Sequence, residues 1–190
     1  MKYFVTGATG FIGKRLVKTL LARRGATVYY LLRPESSDKA EGLLEYWGVS
    51  KARAIPVFGD LTSKKLGVTA DEVKKLKGVI DHMYHLAAVY DLNMSDEQGD
   101  RVNNEGTRNV VQFANALGGK VSLQHMSSIA IAGGHFKGVF KESMFDEGQD
   151  TSHPYYRTKF QSERIVREEC KVPWRVYRPG AVVGSSPPST

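Results

Sequence analysis

Apolar residues along this chain follow two alternating periods. Short runs rich in β-branched and aromatic residues recur, and between them lie longer stretches with apolar positions at helical spacing. Residues 2–6 read as a buried strand and residues 11–24 as an amphipathic helix. Residues 26–32 form a second strand, bounded by Gly25 and by Arg33-Pro34. Residues 38–48 predict a helix with Leu43, Leu44, Tyr46 and Trp47 on or near one face, and residues 52–58 a third strand. A short helix over 70–77 has Thr69 as its expected N-cap, because a threonine oxygen there accepts a first-turn N–H. Residues 79–86 are a fourth strand. Residues 97–117 predict one long helix, striped by Val102, Thr107, Val110, Val111, Ala114 and Leu117 and ended by Gly118-Gly119. Gly106 inside it costs about 1 kcal/mol relative to alanine, which close packing against a helix or a ligand would justify. Residues 121–126 and 174–178 are the fifth and sixth strands. A helix over 155–170, opened by His153-Pro154, lies between them.

Strands alternating with helices predict an α/β fold, a doubly wound parallel sheet of Rossmann type with strand order 3-2-1-4-5-6. No internal repeat or domain boundary interrupts residues 1–184, and the Ser/Pro-rich residues 185–190 read as a flexible tail. The irregular stretch 129–152 is long enough to expect a lid or a binding loop. With 190 residues, 41% hydrophobic and 25% charged, the chain suits one domain with a sizeable core. Its net charge of +7 fits nucleic acid, an anionic membrane or a phosphorylated small molecule. The cations are spread along helices, as in Lys14-Arg15, Arg23-Arg24 and Lys74 to Lys77, and no nucleic-acid motif accompanies them. Nucleic acid is therefore not an expected partner; most of these cations are solvated, and the rest attract a polyanionic cofactor. The single cysteine, Cys170, makes no internal disulfide. No apolar run spans a bilayer, and a strand already begins at residue 2. The expected location is cytoplasmic, with membranes touched only through a substrate. No signal sets the oligomeric state.

The candidate chemistry starts at Gly7, Gly10 and Gly13, spaced G-x-x-G-x-x-G between the first strand and the first helix. Such a turn brings backbone N–H groups and the positive end of the helix dipole to a pyrophosphate. The second strand runs into Arg33, with no acid before Glu35. An acid there would bind a ribose 2′-hydroxyl and an arginine accommodates a 2′-phosphate, so NADP(H) is the expected cofactor. Asp60 after the third strand reads equally as an adenine contact and as a turn residue. Ala87-Ala88 offer small side chains where backbone meets the cofactor. His82 and His85 fall on opposite strand faces and do not suit a metal. Tyr155 and Lys159 lie four apart on a helix and share a face. An ammonium stabilises phenolate and turns tyrosine, with an ordinary pKa of about 10, into a usable acid–base group near neutral pH. Ser128, preferred over Ser127, ends the fifth strand on the same edge. Tyr156 competes with Tyr155, but its partner four on is the uncharged Phe160.

The series Thr6-Gly-Ala-Thr-Gly-Phe-Ile-Gly13, Ser127-Ser128, Tyr155-x-x-x-Lys159 and Arg178-Pro-Gly180 resembles the extended short-chain dehydrogenase/reductase superfamily. Gly59-Asp-Leu-Thr62, His85-Leu-Ala-Ala-Val-Tyr-Asp91, Asn104-Glu-Gly-Thr107 and His153-Pro-Tyr-Tyr-Arg-Thr-Lys159 are similar to its thioester-reductase branch, above all to the N-terminal reductase domain of bacterial alcohol-forming fatty acyl-CoA reductases. The resemblance implies NADPH-dependent reduction of a fatty acyl thioester or fatty aldehyde, with Ser128, Tyr155 and Lys159 as catalytic residues. It also implies Asn103 as a supporting asparagine, with Asn104 leaving the register open. The cofactor set is then Gly7, Thr9, Gly10, Phe11, Ile12, Gly13, Arg33, Asp60, Leu61, Ala87, Ala88, Tyr155, Lys159 and Pro179. Members of the family continue past the sixth strand into a substrate-binding part, so these residues are expected to form a cofactor-binding core. Alternatives are a nucleotide-sugar epimerase or dehydratase, a small-carbonyl reductase, and a non-catalytic NADP-binding module.

Overall fold

Strand β1 (Lys2–Thr6) is buried from Tyr3 onward on both faces, which explains why its sequence is a nearly continuous apolar run. The computed structural model describes residues 1–88 and 96–184; the expected tail at 185–190 and the Val89–Asp91 end of one family motif lie outside the described residues. Beside β1 run β2 (Thr27–Leu32) and β4 (His82–His85), followed outward by β3 (Ala54–Phe58), β5 (Ser122–Met126) and β6 (Trp174–Tyr177). All pairs are parallel and the order is β3-β2-β1-β4-β5-β6, as the alternating pattern predicts. The chain reverses its direction of travel across the sheet between β1 and β4. In such sheets the ligand crevice opens beyond the strand ends at that point.

Side chains of β1 alternate between two cores. Tyr3 and Val5 join Val17, Leu20, Tyr30, Leu43 and Trp47, under helices α1 (Phe11–Leu21) and α2 (Lys39–Trp47). Phe4 faces the opposite layer, where α3 (Ala70–Leu76), α5 (Gly106–Leu117) and α6 (Pro154–Glu169) contribute Leu76, Val110, Phe113, Leu117, Ile165 and Val166. Thr69 caps α3 as expected, its side chain accepting from the Glu72 N–H. Among the described residues, no helix is long and apolar enough to cross a membrane.

One expectation changes, and another gains detail. The helix expected over 97–117 is instead a short α4 (Asp96–Gly99), a π-helical turn (Asp100–Glu105) and then α5. The extra residue in that turn points Asn103 at α6, while Gly106 meets the loop after β3. A π-turn inside a helix often marks a functional site. The connection 129–152 holds only a 3₁₀ turn (Ile129–Ala132), yet it is pinned rather than free-standing. Phe145 stacks on Phe160 of α6 at 4.6 Å, Asp146 pairs with Arg164 at 2.8 Å, and the Gln149 amide donates to the carbonyls of Ile131 and Phe145.

Candidate active site

The glycine turn joins β1 to α1 by backbone contact alone. Gly7 has φ +75, and a Cβ there would sit 2.6 Å from the Ala87 nitrogen; a Cβ on Gly13 would sit 2.0 Å from the Gly7 oxygen. Larger residues would push the turn away from β4 and α1. Gly10 caps α1 without a side-chain hydrogen bond. The first N–H groups of α1 are therefore not taken up by a capping side chain, the arrangement that binds anions.

Two hollows meet at this turn. One, of about 740 Å³, runs from Gly7, Thr9 and Gly10 along the ends of β2 and β3, past Arg33, Asp60, Leu61, Ala87 and Ala88. Arg33 is exposed and lies 3.5 Å from Glu35. Ser36, Lys39 and Arg101 also line this end, and sequence reasoning did not single them out. Lys39 begins α2 just beyond Arg33, a position that a charge reading of the β2–α2 link would have flagged. Asp60 acts as a turn residue: its Oδ1 accepts from both the N–H and the hydroxyl of Thr62, each at 2.6 Å. The Thr62 hydrogen bond is the main reason its pKa is lowered; burial opposes this, and the charges of Arg33 and Arg101 assist. A Cβ added to Gly106 would lie 2.9 Å from two Leu61 side-chain atoms, so the α5 glycine holds open the wall of this hollow. Gly106→Ala is expected to raise the KM for the dinucleotide about three- to tenfold, by pushing Leu61 into the groove, without loss of the folded state. Steady-state titration of the cofactor checks this.

The second hollow, of about 680 Å³, is lined by Phe11, Ile12 and Gly13 on one side and by Ser128, Tyr155, Lys159 and Pro179 on the other. The serine pair is resolved by its partners. Ser127 is 3% exposed and donates to the Glu163 carboxylate at 2.7 Å, whereas the Ser128 oxygen accepts from the Ala130 N–H at 3.1 Å. That bond occupies a lone pair and leaves the Ser128 proton available. His153 caps α6 by accepting from the Tyr155 N–H at 3.2 Å. Its ring packs on Tyr156 at 4.9 Å, and the Tyr156 ring also abuts Gly134.

Lys159 is buried, and its ammonium reaches the Met126 carbonyl at 3.5 Å. Burial lowers its pKa to about 8, so the cation still predominates at neutral pH. Two buried imidazoles, His85 and His125, lie near it with ring centroids 5.3 Å apart. Burial, and then the charge of Lys159, lowers His125 to about 3. Burial, followed by the charges of His125 and Lys159, also pulls His85 well down. Both rings are neutral at pH 7, which leaves Lys159 as the cation of this corner. His85 bridges Thr6 and Thr107, at 2.8 and 3.0 Å. Asn103 is buried behind α6 and donates to the Thr158 hydroxyl at 3.4 Å, while Asn104 turns to Asp100. Asn103 is thus the inward member of the pair. It touches the helix that carries Tyr155 and Lys159 and is not among the residues lining the hollow. Among the described residues, no cluster of three or more His, Cys, Asp or Glu side chains suits a metal ion.

Comparison with known proteins agrees with this fold. The NAD-binding family model described as "Male sterility protein" matches residues 5–190. A linear gramicidin synthase of Brevibacillus parabrevis is 29% identical over 197 residues, 96% of this chain and 4% of that protein. Glycine betaine reductase ATRR of Emericella nidulans is 28% identical over 200 residues, covering 96% of this chain and 16% of its own length. The crystal structure of the terminal R domain from the myxalamid PKS-NRPS biosynthetic pathway is 28% identical, with a TM-score of 0.82 over 96% of this chain and 50% of that one. The chain therefore spans half of that solved domain and a small part of these curated relatives.

Proposed function

The chain belongs to the NAD-binding family described as Male sterility protein, with the extended short-chain dehydrogenase/reductase fold shared by thioester-reductase domains, and on that footing we propose that it reduces an acyl thioester with NADPH as hydride donor. The observation that carries this reading is the convergence of Ser128, Tyr155 and Lys159 on the hollow that begins at the glycine turn. In this reading residues 1–184 are the NADP-binding reductase domain.

The residues present fit such a cofactor. Gly7 and Gly13 form a cradle that a Cβ would fill, and the start of α1 would hold the pyrophosphate. Arg33, helped by Lys39 and Arg101, would hold the 2′-phosphate. Leu61, Ala87 and Ala88 would wall the adenosine half, and Pro179 the nicotinamide half. When bound, the reduced nicotinamide supplies hydride to the thioester carbonyl carbon.

The chain's own residues handle the oxygen. Ser128 donates a hydrogen bond to the carbonyl oxygen and fixes its position. Tyr155 gives up its phenolic proton as negative charge develops there. The Lys159 ammonium stabilises the phenolate that remains, in a corner where two neutral imidazoles do not compete with it. The hemithioacetal formed from a thioester then collapses to aldehyde and free thiol. Phe11, Ile129 and Val182 line the hollow, and each is about half exposed. An apolar rim of this kind supports a fatty acyl chain.

The activity test is consumption of NADPH with a long-chain acyl-CoA, a carrier-linked acyl thioester and a fatty aldehyde in separate reactions. Turnover of a nucleotide sugar in place of all three would overturn the reading. Cofactor choice is tested separately. Arg33→Ala is expected to raise the KM for NADPH about 10- to 100-fold, the value of a lost charged hydrogen bond, while NADH kinetics change less than about threefold. Equal effects on both cofactors would contradict the assignment of Arg33.

A further inference from the structure

Glu163 lies one helical turn beyond Lys159 and is completely buried, where a lone carboxylate would be very costly. It is not alone. Arg178, just past β6, grips it with a two-pronged fork, Nη2 to Oε1 at 2.6 Å and Nε to Oε2 at 3.1 Å. Arg167 adds a bond to Oε1 at 2.9 Å, and the Ser127 hydroxyl donates to Oε2 at 2.7 Å. Burial alone would raise the Glu163 pKa, but the bonds from Arg178 and Ser127 outweigh it and the carboxyl stays ionised. Arg178 also donates to the Met144 carbonyl at 2.9 Å and to the Glu142 carbonyl at 3.4 Å. One carboxylate thus ties together the end of β5, helix α6, the end of β6 and the 133–152 connection. None of its partners here lines the hollow that carries Arg33, whereas Ser127 lines the second hollow.

The consequence falls on Ser128. Successive residues of an extended segment point to opposite sides. Both serines line the hollow, but anchoring the Ser127 hydroxyl on Glu163 turns the side chain of its neighbour the other way. The same carboxylate fixes the rotation of α6, and with it the direction of Lys159 and Tyr155. We propose that Glu163, Arg178 and Ser127 form a positioning knot that sets Ser128 and the α6 pair relative to each other, and that they are not themselves catalytic. The proposal rests on the thioester-reduction reading for its kinetic consequence, though not for its structural one.

The test compares Ser127→Ala, Ser127→Thr and Arg178→Lys in the full chain. Three readouts are used: NADPH affinity by fluorescence, kcat with a long-chain acyl thioester, and hydrogen exchange of the backbone from 127 to 152. Ser127→Ala removes one hydroxyl and leaves both arginines on Glu163, so the fold is retained. Its kcat is expected to fall about tenfold, since small misplacements of reacting groups carry penalties of this size. NADPH affinity should stay within twofold, and Ser127→Thr, which keeps the hydroxyl, should recover kcat to within threefold. Arg178→Lys keeps the charge and loses the fork, so exchange across 133–150 should quicken at least tenfold. A wild-type kcat in Ser127→Ala would overturn the proposal. An inactive wild-type protein that still binds NADPH would instead overturn the reduction reading. In that case exchange at the Ile129 N–H, which donates to the Pro179 carbonyl, decides the positioning claim, and an unchanged rate in Ser127→Ala overturns it.

Discussion

Tyr155→Phe is expected to lower the rate of thioester reduction by about 10²- to 10⁴-fold, the range that one positioned acid contributes. NADPH affinity should change less than about twofold, because Tyr155 lines the half of the groove remote from Arg33, the residue proposed to hold the 2′-phosphate. The phenylalanine ring keeps the apolar contacts of the tyrosine, and His153 still caps the helix through a backbone N–H. A loss confined to kcat would assign the proton to Tyr155. Wild-type turnover would move the acid role elsewhere, with Tyr156 the nearest phenol in the same hollow.

Lys159→Met should abolish most activity and yet stabilise the protein. The ammonium is held in a buried corner that lowers its pKa from 10.5 to about 8. The folded state therefore binds this proton less tightly than the unfolded chain does. The cost is fully present below pH 8 and is relieved as pH rises from about 8 towards 10.5. A shift of this size corresponds to roughly 3 kcal/mol. Methionine fills much of the same volume without the charge, so a gain of about 1–3 kcal/mol is expected near neutral pH. For a chain of this size that raises Tm by about 2–4 °C per kcal/mol. Wild-type stability measured against pH should also show a rising contribution above pH 8 that the variant lacks. A less stable Lys159→Met would mean that the lysine holds the fold together, and that its burial is not a functional strain. This trade of stability for activity is common where a site needs a charge in a dry corner.

The sheet order was legible because each strand is a short apolar run and each helix carries its own stripe, and both signals are local. The glycine turn was legible for the same reason: strand, turn and helix are contiguous from Lys2 to Leu21. Ser128 and Lys159 could be named from spacing and family resemblance, but what separates Ser127 from Ser128 could not. That distinction depends on Glu163, 36 positions along the chain from Ser127. The positive end of the groove was read from Arg33 alone; Lys39 was within reach of a charge reading, whereas Arg101 comes from the π-helical turn and meets the groove only in the folded chain. The break at Asp100–Glu105 was hidden because a helical stripe does not record one extra residue per turn. Its purpose shows only where Gly106 meets Leu61 and Asn103 meets Thr158. Asp60 illustrates a different limit. Turn and ligand readings demand the same carboxylate, and the bonds to Thr62 show the turn at work.

Transfer of hydride from a reduced nicotinamide to a thioester carbonyl in this cleft is tested most directly by a single-turnover reaction. NADPH deuterated at the transferring ring carbon is mixed with a long-chain acyl thioester, and the product is analysed by mass. Deuterium is expected at the former carbonyl carbon of the aldehyde, or of the alcohol derived from it, with release of an equal amount of free thiol, and none of this with Tyr155→Phe on the same time scale. Tight NADPH binding without deuterium in any acyl product would contradict hydride transfer and leave the chain a nucleotide-binding module.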